Sequence, residues 1–221
     1  MSLKKIFKLS LPVLFGYVPL GAAYALLAVS IGLPVWAVVF ISMVVYAGSG
    51  QFLLVSLLSV GAGVLEIFMA TFILNLRHIF YTTTLLDDII KAKSRFYTIF
   101  ALTDESFAVL KTIKVSDENR DKLYFYLPLL NQIYWVFGTI LGVLVGKNLE
   151  FDYSGIEFCL VGLFVVLAVE ILRGDRNFKL LGISVGVGIF GLLFLPAKSM
   201  LILSLVIGFM LILILRRWLD N

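Results

Sequence analysis

Thr71-Phe-Ile-Leu-Asn75-Leu-Arg77-His78-Ile-Phe-Tyr81 sets an arginine and the chain's only histidine inside an apolar run extending from Val64 to Leu86. A bilayer's hydrocarbon core is crossed by about 20 apolar residues, so the run is long enough to span it. Asn75 then falls at the centre, with Arg77 about 3 Å further along at 1.5 Å of rise per residue. An arginine at that depth costs roughly 2.5 to 3.5 kcal/mol on insertion scales, so it must face a partner or a water-filled cavity, and it marks a functional site. On a helical wheel Thr71, Asn75, His78 and Thr82 form one polar stripe. Arg77 lies roughly 100° from His78 and close to Tyr81.

The rest of the chain reads the same way. Of its 221 residues, 61% are hydrophobic and 14% charged, against about 25% charged in soluble domains. The expectation is a single integral membrane domain over residues 1–221, all-α, built as a polytopic helix bundle of about seven to eight helices. The net charge of +4 does not point to nucleic acid, because the basic residues fall between apolar runs, where they orient spans. Cys159 is the single cysteine and reads as a packing residue, which excludes an internal disulfide or a cysteine metal cluster. No phosphate-binding loop, dinucleotide fingerprint or metal-ligand spacing occurs, so no cofactor and no enzyme activity are expected.

The segment before this stretch, about Ile6 to Ser30, holds Pro12, Gly16, Pro19 and Gly21. Interior prolines free backbone carbonyls, which predicts a first helix broken near Gly16 to Gly21. Such broken helices build substrate sites in transporters, and a kinked packing helix is the plainer alternative. Val35 to Ser59 is predicted as one span carrying Tyr46-Ala47-Gly48-Ser49-Gly50-Gln51. There Gly48 and Gly50 suit a helix break or close packing, and Gln51 offers hydrogen bonds to a neighbour or a cavity.

Downstream, Asp87 to Lys122 is the long polar interval. Within it Phe96 to Ile113 reads as an apolar helix interrupted by Thr103-Asp104-Glu105-Ser106, either interfacial, re-entrant or a short span. Four further runs follow, Leu123 to Gly146, Ile156 to Leu172, Phe178 to Leu195 and Met200 to Leu215. Gly138, Gly142 and Gly146 recur every fourth residue as a close-packing face, and Asn131 and Gln132 are weaker cavity candidates. Arg173, Arg176 and Lys179, with Arg216 and Arg217, point to the cytoplasm, whereas Lys147, Glu150 and Asp152 point outward. The carboxyl end is therefore expected in the cytoplasm. Lys4, Lys5 and Lys8 also favour that side, which requires an even number of crossings. Seven runs are odd, so either Phe96 to Ile113 crosses or the first segment re-enters. Glycine-rich helix, turn and apolar helix recur at 16–58 and 138–172, a candidate inverted repeat.

The polar residues inside these runs are Gln51, Asn75, Arg77, His78, Tyr81, Asp104 and Glu105. Arg77 can grip a carboxylate with two prongs or pair with Asp104 or Glu105 as a structural bridge, leaving the polar stripe to face substrate. His78 can relay protons near neutral pH or pack as a satisfied core residue. An intramembrane serine hydrolase with Ser49 as nucleophile and His78 as base is a rival, which requires hydrogen-bond contact between them. A noncatalytic membrane scaffold or binding subunit is another.

Pro12, Gly16-Tyr-Val-Pro19-Leu-Gly21, Ala47-Gly48-Ser49-Gly50-Gln51-Phe52, Asn75-Leu-Arg77-His78-Ile-Phe-Tyr81 and Thr103-Asp104-Glu105-Ser106-Phe107 occur in the order found in the AzlC family. The chain resembles that family over roughly residues 6 to 195. The resemblance implies a multi-pass protein of the cytoplasmic membrane that exports the branched-chain amino acids leucine, isoleucine and valine, and often methionine. It further implies a small AzlD-like membrane subunit as partner and the proton motive force as driver. The roles of individual residues are a physical reading of the matched positions: Arg77 for the substrate carboxylate or for Asp104, and Asp104 or Glu105 for the ammonium group or a proton.

Overall fold

The computed structural model describes residues 1–113, 117–148, 178–196 and 200–219. Every regular element among them is a helix. In chain order these are α1 (Leu3–Ser30), α2 (Val35–Val44), α3 (Ser49–Ser59), α4 (Val64–Asn75), α5 (Arg77–Thr84), α6 (Leu86–Lys91), α7 (Arg95–Phe100), α8 (Asp104–Thr112), α9 (Asp117–Asn148), α10 (Phe178–Phe194) and α11 (Met200–Leu219). The expected span Ile156 to Leu172, Cys159 and the basic turn with Arg173 and Arg176 lie outside the described residues. The chain divides into two compact units, Met1–Val55 with Leu74–Glu157, and Ser56–Ile73 with Phe158–Asn221.

The first unit is built on α1 and α9, which contact each other along most of their length. Apolar side chains gain little from leaving lipid for each other, so membrane helices associate by close fit and internal hydrogen bonds. The fit comes from glycine. A Cβ on Gly21 would stand 2.6 Å from the Trp135 carbonyl oxygen, and one on Gly138 or Gly142 would overlap the backbone of Val18 or Ala22. Polarity is turned inward: Ser10, Ser42, Gln51, Thr98, Ser106, Asn131 and Thr139 are buried, while Phe15, Trp36, Phe96 and Leu144 are exposed. A surface of large apolar side chains over a core with hydrogen-bonded polar groups suits hydrocarbon as the solvent. Leu3–Ser30, Val64–Thr84 and Asn119–Gly146 are each long and apolar enough to cross a membrane.

The interruptions are not where proline predicts them. The first helix is continuous from Leu3 to Ser30 with Pro12 and Pro19 inside it. Each proline deletes one backbone bond, and α9 grips the helix through Gly21, Gly138 and Gly142, so the losses do not open it. The predicted span Val35 to Ser59 breaks instead at Tyr46–Gly48, where Tyr46 has φ 44° and Gly48 φ 48°. The run Val64 to Leu86 is interrupted at Leu76, which keeps α-helical dihedrals, so the helix direction persists across the lost hydrogen bond. Phe96 to Ile113 is two short helices, α7 and α8, parted at Ala101–Thr103. The Thr103 side chain caps α8 by accepting from the Ser106 N–H at 3.3 Å.

No atom lies within 4 Å of a Cβ built on Gly48, so only its left-handed backbone resists substitution. Gly48→Ala is expected to lower stability by about 1 to 2 kcal/mol. Gly48→Asn should lose less, because asparagine tolerates that conformation. Thermal unfolding of purified variants checks the order.

The second unit contains the turn at Gly61, which has φ 68°. It also holds the start of α4, where the Glu66 carboxylate accepts from the Gly63 N–H at 2.9 Å. In the same unit α10 and α11 pack together, with Gly191 seated against Ser204 and Met200.

Candidate functional site

Three chain breaks precede α3, α5 and α8, and the first residues of these helices are Ser49, Arg77 and Asp104. The three side chains meet. Arg77 Nη1 donates to Asp104 Oδ2 at 2.5 Å, and Arg77 Nη2 donates to Ser49 Oγ at 2.6 Å. Arg77 Nε and Asp104 Oδ1 are buried and have no hydrogen-bond partner. A guanidinium has five N–H donors, so this one retains capacity for a further acceptor. The α8 N-terminus, where Asp104 and Glu105 fall in the first turn, adds partial positive charge beside the cluster, whereas the α4–α5 junction at Leu76 keeps helical dihedrals and adds none.

Beside this cluster Tyr17 of α1 donates its hydroxyl to Glu105 Oε2 at 2.5 Å. The Tyr46 side chain is 4% exposed, its hydroxyl makes no hydrogen bond, and Tyr17, Thr103 and Glu105 are its polar neighbours. A non-glycine residue held at positive φ is strained, and such strain collects at functional sites. Tyr81 lies beside Asp104 and stacks on Phe107 with ring centres 4.6 Å apart.

The other candidate residues are occupied differently. Gln51 is fully buried: its Nε2 donates to Ser42 Oγ at 3.0 Å and its Oε1 accepts from Trp135 Nε1 at 2.9 Å. With the Ser42–Thr139 bond at 2.9 Å this network ties α2, α3 and α9 together. His78 Nδ1 faces the Asn75 carbonyl at 3.3 Å, and its ring meets Tyr81 edge-on. Ser49 therefore bonds to Arg77 and not to His78, so the contact a serine hydrolase requires is not made. Asn131 donates to Ser106 Oγ at 2.9 Å. Gln132 donates to the Met43 carbonyl at 2.9 Å and accepts from the Tyr97 hydroxyl at 2.6 Å, satisfying a carbonyl at the end of broken α2. Pro19 is an ordinary interior position of α1, and a Cβ on Gly50 would press on Ala47 at 3.0 Å.

Tyr17 and Tyr46 are the site neighbours that sequence reasoning did not single out. The available signal was a tyrosine within an apolar run, because a buried phenol hydroxyl needs a polar partner.

Apolar helices around a buried polar core, with interrupted helices meeting at a charged cluster, define a multi-pass membrane protein with an internal polar site. The chain belongs to the AzlC protein family, whose model matches residues 12–149, a stretch that includes the whole cluster. It is 31% identical over 172 residues to the branched-chain amino acid transport protein AzlC of Bacillus subtilis, covering 76% of this chain and 67% of that protein. It is also 30% identical over 221 residues to an uncharacterized membrane protein of Helicobacter pylori, covering 99% of this chain and 97% of that one. With the inner membrane protein YgaZ of Escherichia coli it shares 29% identity over 198 residues, 83% of this chain and 80% of the relative. No solved structure matches.

Proposed function

We propose that the chain is the large subunit of a secondary transporter that exports leucine, isoleucine, valine and methionine. It works in the cytoplasmic membrane with a small AzlD-like subunit, driven by the proton motive force, with its carboxyl end in the cytoplasm. The observation that carries this reading is the Arg77–Asp104–Ser49 cluster at three helix N-termini, beside the Glu105 carboxylate. An amino acid zwitterion needs an anion-binding group and a cation-binding group close together. The unpartnered Nε of Arg77 suits its carboxylate, and the acidic side suits its ammonium. Discontinuous helices that present their N-termini to a substrate carboxylate recur in secondary transporters. A methylene is worth only about 1 to 3 kcal/mol in an apolar pocket, so broad acceptance of aliphatic side chains follows. The name of the Bacillus subtilis relative supports the same substrate class.

The test is uptake of labelled valine and leucine into proteoliposomes holding the chain with its small subunit, under an imposed proton gradient. Accumulation that follows the gradient is expected. Absence of movement overturns the reading, movement indifferent to the gradient removes the proton coupling, and binding without movement leaves a binding subunit.

A further inference from the structure

Asp104 and Glu105 are neighbours in sequence with opposite surroundings. Asp104 is paired with Arg77. Glu105 has no cationic partner among the described residues, and its carboxylate accepts from Tyr17. The guanidinium cancels one carboxylate, so the cluster keeps one uncompensated negative charge. The titratable groups near Glu105 are Tyr17 from α1, Tyr46 from the α2–α3 break, Tyr81 from α5 and Asp104 on its own helix. None of these brings positive charge; the nearby cation is Arg77 of α5, which is bonded to Asp104, and His78 of α5 lies beside that pair. The Glu105 residue is exposed on one side, while its carboxylate sits among neighbouring groups with Oε2 covered by the Tyr17 hydroxyl.

An anion among apolar helices is costly until a cation joins it. Two unoccupied groups lie nearby, the buried Tyr46 hydroxyl and Asp104 Oδ1. An alkylammonium has three donors, and the Glu105 carboxylate and the Tyr46 hydroxyl beside it are acceptors for it. We propose that Glu105 is a shared cation seat, in which a proton and the ammonium group of the zwitterionic substrate exclude one another while the Tyr17 and Tyr46 hydroxyls support either occupant. This rests on the transport reading above and adds its coupling device. When the ammonium enters, the carboxyl proton leaves to water, one proton for one substrate. When the substrate leaves, a proton replaces it. A seat that holds one or the other converts inward proton flow into outward movement of amino acid.

The experiment is labelling of the purified complex with dicyclohexylcarbodiimide, which attacks protonated carboxyl groups, with the modified residue located by peptide mass. Saturating valine, or isobutylammonium, which is valine without its carboxylate, is expected to reduce labelling at position 105 several-fold. Valine Kd should rise about tenfold per pH unit on the acid side, the slope of one exchanged proton. Glu105→Gln should abolish both the labelling and the pH dependence, while Glu105→Asp should retain the pH dependence. If valine is transported but neither compound protects position 105, the shared seat is wrong and the transport reading stands. If isobutylammonium protects while valine neither protects nor moves, the seat stands and the amino acid reading falls. A Glu105→Gln variant whose valine affinity keeps the wild-type pH slope also overturns the proposal.

Discussion

Arg77→Ala is expected to abolish valine movement and to lower stability by about 3 kcal/mol, the lower end of the range for breaking a buried ion pair. The lower end applies because the Arg77 and Asp104 side chains remain 26% and 30% exposed. Loss of Arg77 leaves the Asp104 carboxylate without its cation and Ser49 without its donor. Asp104→Ala should destabilise comparably by stranding the guanidinium. The combination Arg77→Met with Asp104→Leu removes both charges and should recover much of the stability, yet recover no transport. That divergence separates a structural bridge from a substrate site, because a bridge alone would regain function along with stability. Detergent melting curves and proteoliposome exchange supply the two readouts. An Arg77→Ala protein that inserts normally and moves valine at the wild-type rate would remove this cluster from the mechanism.

Gly142→Val should be the more damaging change to the fold, lowering stability by about 3 kcal/mol or more. Overpacking a core usually costs about 1 to 3 kcal/mol, with relief from side chains that rotate away. Here the obstacle is the Ala22 backbone, which cannot rotate away without moving α1. Gly16→Ala is the control on the same helix pair, since nothing lies within 4 Å of its Cβ. It should be neutral or stabilising, as alanine favours a helix over glycine by about 1 kcal/mol. Folded yield and melting temperature should differ strongly between the two, and equal values would refute the backbone contact.

Some of this was readable before any coordinates. Composition and the placement of Arg77 in an apolar run were enough for the membrane class, because charge in hydrocarbon has few tolerated forms. The need of Arg77 for an acidic partner followed from the same physics, and so did Asp104 as one of two candidates. Helix interruption was misjudged because a proline removes only one bond, and a partner that grips the helix can absorb the loss. The break before α3 was signalled by Gly48, which takes φ 48°, but the positive φ of Tyr46 beside it is invisible to propensity, since tyrosine seldom takes it. Long-range pairing was equally hidden: Tyr17 reaches Glu105 across 88 positions and Trp135 reaches Gln51 across 84. Nothing local in a sequence encodes such meetings.

The glycine seats between α1 and α9 bear on motion as well as on packing. Two helices whose backbones interlock at Gly21, Gly138 and Gly142 cannot slide by a fraction of a turn without collision. α3, α5 and α8, by contrast, each begin at a break and meet one another at Ser49, Arg77 and Asp104 through side chains that can release and re-form. The interlocked pair is therefore the part of this unit least able to rearrange, and the side-chain bonds at Ser49, Arg77 and Asp104 are the part most able to.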